Sequence, residues 1–145
     1  MNVLITGATG FLGSAVVRTS LASNFRVSVL VRSAVPSFCA DVKQHVYDLC
    51  KLDNINISLF NDTDCLIHCA ASVHQMGHTG KEATNLYRKI NSEATLKLAS
   101  MAAKQGVKRF IYISSTKVNG ESSSFQKPFT PQILRPPVDP YALSK

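Results

Sequence analysis

The last residues of the chain contain a tyrosine and a lysine whose spacing could support acid–base chemistry. Tyr141 and Lys145 are four residues apart, and Asp139 followed by Pro140 is typical of the N-cap and first position of a helix. Residues at this spacing share one face of a helix. An ammonium beside a phenol favours the phenolate, so Tyr141 could act as a general base. Taken alone, such a pair is more often an exposed pair on a helix surface.

A second chemical feature lies near the start of the chain, where glycines follow a short apolar run. Gly7, Gly10 and Gly13 come directly after this run, at the spacing G-x-x-G-x-x-G. We expect Gly7 to allow a sharp turn, Gly10 to let the backbone approach a diphosphate, and Gly13 to let a helix pack closely. The diphosphate would lie at the N-terminus of this helix, where the dipole and free N–H groups favour anions. The alternative interpretation is an ordinary strand-to-helix turn.

Apolar runs predict the strands that position these features. The first begins at Val3, and the others are Arg26–Arg32, Gln44–Leu49, Cys65–Ala71 and Arg109–Ile113. The crossover between the first two strands implies that they are parallel and joined by a right-handed connection. In an open sheet of this kind, ligands bind at the carboxyl ends of the strands. The glycine turn leaves the sheet at that edge.

Two helical segments are predicted between the strands. The first is expected to direct one row of residues to the core: Leu12, Ala15, Val16, Thr19 and Ala22. The second runs from near Thr84 to Lys104, with Gly106 as its stop. Asn91 lies beside the apolar face of the second helix, so its amide needs either a buried backbone partner or a bound ligand.

Two residues at the ends of predicted strands could contact a nucleotide. In dinucleotide-binding folds an acidic residue at the end of the second strand usually holds the adenosine ribose, but here the place is taken by Arg32. A guanidinium suits a 2′-phosphate, which favours NADP or tolerance of both NAD and NADP. An exposed strand-end arginine is the alternative. Asp48 could accept a hydrogen bond from adenine or could cap the following helix.

The fourth predicted strand ends in small residues and contains the beginning of a metal-like cluster. Ala70 and Ala71 leave room for a flat ligand to pass over the backbone, and the polar stretch from Ser72 to Lys81 predicts a loop on the ligand side. Cysteine and histidine occur at Cys65, His68, Cys69, His74 and His78. Strand alternation places His68 on the opposite face from the two cysteines, which argues against zinc, and we expect no metal site.

Bulk properties restrict the class of protein. A chain of 145 residues that is 45% hydrophobic predicts one globular domain. The net charge of +7 comes from scattered residues, so an anionic nucleotide is favoured over nucleic acid as the partner. No apolar run is long enough to span a membrane and no signal peptide is evident, so the expected location is cytoplasmic. The four cysteines are then most simply free thiols.

Taken together, these motifs resemble the extended short-chain dehydrogenases/reductases of the NAD-dependent epimerase/dehydratase type. The resemblance is carried along the whole chain by Thr6–Gly13, Asp48, Ile67–Ala71, Asn91, Ser114–Ser115, and Tyr141 with Lys145. A finer resemblance, through Val107–Ser115 and Lys117–Glu121, is to bacterial UDP-glucose or UDP-N-acetylglucosamine 4-epimerases. The fold implied is α/β: a Rossmann-like doubly wound parallel sheet of five strands in the order 3-2-1-4-5.

The resemblance also implies roles for particular residues. Tyr141 would take a proton from a sugar hydroxyl at C4 while hydride passes to NAD or NADP, Ser115 would hydrogen-bond the reacting oxygen, and Lys145 would hold the cofactor ribose. The implied cofactor-binding residues are Gly7, Thr9, Gly10, Phe11, Leu12, Gly13, Arg32, Asp48, Leu49, Ala70, Ala71, Ser72, Asn91, Tyr141 and Lys145.

The resemblance further implies a longer parent enzyme. Residues 1–145 are expected to form the NAD(P)-binding Rossmann domain of a homodimeric nucleotide-sugar epimerase, without the C-terminal part that binds the nucleotide sugar. The chain would then stop within the helix that carries Tyr141 and Lys145, and it would be inactive alone. A helix start of seven residues is marginal in isolation, so we expect it to be frayed or displaced.

Two alternatives remain open at this point. One is an NADPH-dependent reductase or sugar-nucleotide dehydratase of the same superfamily, which Arg32 favours. The other is a non-enzymatic dinucleotide-binding module, against which the presence of Ser115, Tyr141 and Lys145 argues. Cofactor preference discriminates between the epimerase and the reductase.

Overall fold

A single parallel sheet organises the computed structural model, which describes residues 1–73, 81–132 and 136–145. Its strands are β1 (Asn2–Thr6), β2 (Arg26–Val31), β3 (Val42–Val46), β4 (Cys65–His68) and β5 (Arg109–Tyr112). They lie in the order β3-β2-β1-β4-β5, and every neighbouring pair is parallel. The predicted α/β class and strand order are confirmed.

Helices lie on the two faces of this sheet. Four α-helices are described: α1 (Phe11–Ala22), α2 (Lys81–Tyr87), α3 (Ala94–Lys104) and α4 (Pro140–Leu143). A π-helical turn, Arg88–Glu93, joins α2 to α3. The described 3₁₀ turns are Leu49–Asn54, Ile57–Phe60 and Thr116–Asn119. No helix in these described ranges has the length and apolar character that crossing a bilayer requires.

The alternation of side chains along the strands divides the core into two layers. On the α1 side, Val3 and Ile5 of β1 pack with Val27 and Val29 of β2 and with Val17 of the helix. On the opposite side the core is formed by alternate residues of the same strands and by α3, and it includes Leu4, Leu30, Leu66, Phe60 and Leu98. Burial on both faces explains why the three inner strands β1, β2 and β4 are mostly apolar.

The row of α1 that faces the sheet differs from the predicted one. The buried residues are Gly13, Val17 and Ser20, whereas Leu12 of the predicted row is 44% exposed. The reason is the glycine turn, which brings the helix so close to the preceding loop that Gly13 faces inward. The predicted row was wrong because it was based on side-chain hydrophobicity, which carries no information about this backbone contact.

Several element boundaries also differ from the predicted ones. Strand β3 is Val42–Val46 rather than Gln44–Leu49, and the Gln44 side chain exchanges hydrogen bonds of 2.9 and 3.1 Å with the backbone of Val35. The long helical segment begins at Lys81 instead of near Thr84. Its stop at Gly106 is confirmed, since this glycine has a φ of +80°.

Helix α4 is docked against the rest of the domain. Asp139 caps it, since its carboxylate accepts a hydrogen bond of 2.9 Å from the Ala142 N–H. Ala142 and Ser144 are buried, and the Ser92 hydroxyl donates a 2.9 Å hydrogen bond to the Ser144 carbonyl. The expectation of a displaced segment was wrong, because tertiary contacts compensate for the short helix.

Candidate functional site

The glycine turn has the geometry that the sequence predicts. Gly7 has a φ of +68°, and a Cβ at this residue would lie 2.6 Å from the backbone nitrogen of Ala70 at the end of β4. A Cβ at Gly13 would overlap the carbonyl oxygen of Gly7. Both glycines are therefore required by close backbone contacts, one between the segments that follow β1 and β4 and one between α1 and its own turn.

The N-terminus of α1 is open to a ligand. Gly10 is the N-cap, and its lack of a side chain leaves the first N–H groups of the helix without a side-chain cap. Phe11 is 99% exposed and Leu12 is also exposed, so these two residues would contribute backbone N–H groups rather than enclosing side chains. An anion placed here would be favoured by both the N–H groups and the helix dipole.

A cleft of about 570 Å³ opens at this carboxyl edge of the sheet; we call it the nucleotide cleft. Nine residues of the predicted cofactor set line it: Gly7, Thr9, Gly10, Arg32, Asp48, Leu49, Ala70, Ala71 and Ser72. Sequence reasoning missed other lining residues, which are Ala8, Leu30, Val31, Tyr47, Cys50, Cys69, Val73 and Ile90. All of them except Leu30 directly adjoin a predicted residue, and Ile90 adjoins Asn91 in the π-helical turn.

One end of the nucleotide cleft is formed by residues that follow β2 and β3. Arg32 is an exposed residue directly after β2 and lines the cleft. Asp48 also lines it, but its carboxylate accepts a 2.9 Å hydrogen bond from the Cys50 N–H and so caps the Leu49–Asn54 turn. The capping interpretation of Asp48 is confirmed. Burial and the nearby Asp48 carboxylate raise the pKa of the Cys50 thiol.

A fully buried histidine supports the floor of the cleft. The Nδ1 atom of His68 lies 2.6 Å from the Thr6 hydroxyl oxygen, and its Nε2 atom lies 2.9 Å from that of Thr95. The Thr6 oxygen also accepts a hydrogen bond of 3.2 Å from the Ala70 N–H. Burial, together with the positive charge of Lys145, lowers the pKa of His68 to about 4. The histidine is therefore neutral and links β1, β4 and α3.

Ile67 and His68 of β4 face opposite sides of the sheet, as strand alternation predicts. His68 contacts Thr95 of α3, whereas Ile67 packs in the layer beside α1. Within residues 1–73, 81–132 and 136–145, no group of three or more potential metal ligands comes together. His74 and His78 of the metal-like cluster lie outside the described residues, as do residues 74–80 of the predicted loop.

Asn91 does not line the cleft but fixes its edge. Its side-chain oxygen accepts a 2.7 Å hydrogen bond from the Ser72 N–H, and its amide nitrogen donates a 2.9 Å bond to the Ser72 carbonyl. The same nitrogen donates a 2.9 Å bond to the Ser144 hydroxyl. Asn91 is only 1% exposed. Of the two partners expected for this amide, the structure shows the buried backbone.

The three predicted catalytic residues come from two neighbouring segments. Ser115 caps the Thr116–Asn119 turn by accepting a hydrogen bond of 3.2 Å from the Lys117 N–H. Helix α4, which carries Tyr141, lies against this turn and against α2. The Tyr141 ring packs edge-on against that of Tyr87, with centroids 5.7 Å apart. These elements are neighbours, but none of the three predicted catalytic residues is among those that line the nucleotide cleft.

Lys145 follows the end of α4 rather than lying within it. Its backbone N–H donates to the Ala142 carbonyl at 3.1 Å, an i→i−3 bond that tightens the last turn. The ammonium lies 4.5 Å from the centroid of the Tyr112 ring. Burial lowers the pKa of Lys145. The aromatic ring that this ammonium contacts is therefore that of Tyr112.

The fold and the cleft define the class of this domain as a Rossmann-like α/β unit. The chain belongs to the NAD dependent epimerase/dehydratase family, whose model matches residues 3–145. It is 39% identical to the UDP-glucose 4-epimerase of Vibrio cholerae over 145 residues, which cover 99% of this chain and 44% of that relative. It is 30% identical to the dTDP-glucose 4,6-dehydratase of Haemophilus influenzae, covering 100% of this chain and 48% of the relative.

Solved structures agree with this assignment. A mutant UDP-glucuronic acid 4-epimerase of Bacillus cereus, in complex with NAD and a fluorinated UDP-glucuronic acid, matches at a TM-score of 0.79 and 25% identity. That match covers 100% of this chain and 49% of the other. A short-chain dehydrogenase/reductase superfamily protein of Agrobacterium tumefaciens with bound NAD matches in fold, at a TM-score of 0.83 and 23% identity. The chain therefore spans about half the length of the relatives that it matches.

Proposed function

We propose that residues 1–145 form the NAD(P)-binding domain of a nucleotide-sugar 4-epimerase. The observation that carries the proposal is the nucleotide cleft, which joins the glycine turn to the ends of β2 and β4 at the carboxyl edge of the sheet. Membership of the epimerase/dehydratase family and the similarity to a UDP-glucose 4-epimerase support the choice of reaction.

The residues present suit a dinucleotide. Gly10 leaves the N-terminus of α1 accessible to a diphosphate, and the small side chains of Ala70 and Ala71 line the adjacent part of the cleft. Arg32 and Asp48 would meet the adenosine end. A cleft of about 570 Å³ is in the range of cofactor sites. The backbone at Ser72, fixed by Asn91, would border the bound molecule.

The catalytic roles fall to residues of this chain beside the cleft. When bound, NAD supplies a ring that accepts a hydride from the sugar carbon and returns it. Tyr141 takes the proton from the hydroxyl at C4 and gives it back on the return step. The Ser115 hydroxyl, whose oxygen already accepts a bond from Lys117, retains its own proton to donate to the reacting oxygen. Lys145 holds the cofactor ribose through the hydrogen-bond donors of its ammonium.

The proposal places the nucleotide-sugar pocket outside the cleft described above. The curated relatives have about twice the length covered by this chain. The sugar nucleotide would then be bound mainly by a further segment in a longer protein, which we propose to be a homodimer. Tyr141→Phe in the full-length enzyme should abolish epimerisation, and retained activity would contradict the assignment of Tyr141.

Calorimetric titration of the 145-residue chain with NAD and with NADP tests the cofactor proposal. We expect micromolar binding that Gly10→Val abolishes, because the valine side chain would occupy the space where the diphosphate meets the helix. Ala103→Val, an equivalent enlargement on an exposed position of α3, is the matched control and should bind normally. Absence of binding to both dinucleotides by the folded wild-type chain would contradict the proposal.

A second candidate is an NADPH-dependent reductase or a sugar-nucleotide dehydratase of the same superfamily. Arg32 lines the nucleotide cleft where a 2′-phosphate would lie, and a guanidinium recognises phosphate through paired hydrogen bonds. Strong preference for NADP in the same titration would favour the reductase. Preference for NAD would favour the epimerase or the dehydratase. The product that the full-length enzyme forms would then distinguish these two reactions.

A further inference from the structure

The ammonium of Lys145 lies against the face of an aromatic ring. Its Nζ atom is 4.5 Å from the centroid of the Tyr112 ring, within the range of a cation–π interaction. Lys145 is partly buried, and this burial lowers the pKa of its ammonium. A charge that has lost part of its hydration needs a compensating partner. The negative face of the Tyr112 ring supplies one.

The position of this ring is set by the central sheet. Tyr112 is the last residue of β5 and the register partner of His68 on β4. Register partners project from the same face of a sheet, and the two ring centroids are 6.0 Å apart with planes inclined by 21°. His68 is in turn held by hydrogen bonds to Thr6 and Thr95. Tyr112 therefore has a fixed neighbour in the core.

We propose that Tyr112 is a positioning residue for Lys145, whose ammonium it holds over its ring face at the carboxyl edge of β4 and β5. The contact between Tyr112 and Lys145 does not depend on the function proposed above, but the catalytic role of Lys145 does. Tyr112 would act through the lysine rather than on the substrate. Burial and, secondarily, the nearby Tyr141 phenol raise the pKa of Tyr112. One aromatic side chain thus borders two of the three predicted catalytic residues.

The test is the pKa of Lys145, measured by NMR on its Cε and Hε resonances in the folded 145-residue chain. Comparison with the spectrum of Lys145→Arg assigns the signal. Tyr112→Phe keeps the ring face and should leave the pKa close to that of the wild type. Pentafluorophenylalanine at the same position nearly keeps the ring volume but makes its face positive, and it should lower the pKa by about half a unit or more.

The variants leave the other charged and titratable neighbours unchanged. The groups that act on Lys145 are His68 and the Cys69 thiol, both from the β4 segment, and Tyr141 lies beside Tyr112. Tyr112→Leu provides a second comparison, because it removes the ring without adding a positive face. We expect its Lys145 pKa to lie below that of Tyr112→Phe.

The proposal is overturned if the Phe, pentafluoro and Leu variants give the same Lys145 pKa. It is also overturned if Tyr112→Phe shifts the pKa as much as Tyr112→Leu does, since the hydroxyl rather than the ring would then be responsible. The measurement requires no cofactor. Failure to bind NAD would therefore contradict the proposed function, whereas the Tyr112 proposal is tested independently by the Lys145 pKa.

Discussion

Protonation of His68 should destabilise the domain in a defined pH window. Its pKa falls from the usual 6.5 to about 4 because the imidazole is buried and, secondarily, because Lys145 is positive. Between these values the unfolded chain binds a proton that the folded chain does not, so the free energy of unfolding decreases as the pH falls. Above pH 6.5 the full stabilisation is present, and it is lost progressively as the pH falls toward the folded pKa.

The magnitude follows from the same two pKa values. Lowering the pH from about 7 to about 4.5 should reduce the free energy of unfolding by about 2 kcal/mol through His68 alone. Urea unfolding at several pH values measures the total pH dependence of the free energy of unfolding, to which carboxylates also contribute. His68→Gln removes the titrating group while retaining an amide that can hydrogen-bond to Thr6 or Thr95. The pH dependence of this variant should be smaller than that of the wild type by the same amount.

Direct titration of the imidazole provides an independent check. The His68 ring signals in NMR should remain those of the neutral form down to about pH 5 in the folded chain. The reasoning is refuted if His68 titrates near its usual pKa, or if the wild type and His68→Gln lose stability in parallel over this range.

Three further predictions concern the glycine turn, the buried amide and cofactor choice. Gly13→Ala should lower the free energy of unfolding, measured in urea, by about 3 kcal/mol, because its Cβ would overlap the Gly7 backbone. Gly106→Ala should lower it by about 1 kcal/mol, because the space there is open and only the positive φ is unfavourable. Equal losses for the two variants would contradict this reasoning. Asn91→Ala should lower the free energy of unfolding by about 2 kcal/mol. It should also accelerate backbone hydrogen exchange at the cleft edge and in α4, because the Asn91 side chain bonds to both. Unchanged exchange would refute this role of the Asn91 side chain. Arg32→Asp should weaken NADP binding at least ~10-fold in calorimetry while leaving NAD binding intact, and an equal loss for both would contradict 2′-phosphate recognition.

Much of this architecture follows from the sequence because the relevant signals are local. The run that ends in Thr6, the glycines after it and the β-branched residues of β2 each specify their own conformation. The Asp139 cap is likewise encoded by adjacent residues. Parallel pairing then brings the ends of β1, β2 and β4 to one edge, which is why nine predicted residues line the same cleft.

The parts that were not predicted depend on contacts between distant segments. The Lys145 ammonium lies over the ring of Tyr112, which belongs to β5, and the buried row of α1 depends on the close approach of Gly13 to the Gly7 backbone. Asn91 was expected to need a partner, but its bonds to Ser72 and Ser144 connect residues 19 and 53 positions away. Helical periodicity also gives no indication of the π-helical turn that contains Asn91. Such contacts exist only after the sheet has assembled.

The most direct test of the central claim is an amide NMR map of the isotopically labelled chain titrated with the preferred dinucleotide. The account predicts chemical-shift changes concentrated at the glycine turn from Gly7 to Gly13, at Arg32 and at Ala70–Ser72, which together border the nucleotide cleft. Changes confined to other surfaces, such as the exposed face of α3, would show that the ligand binds elsewhere and would contradict the assignment of this cleft.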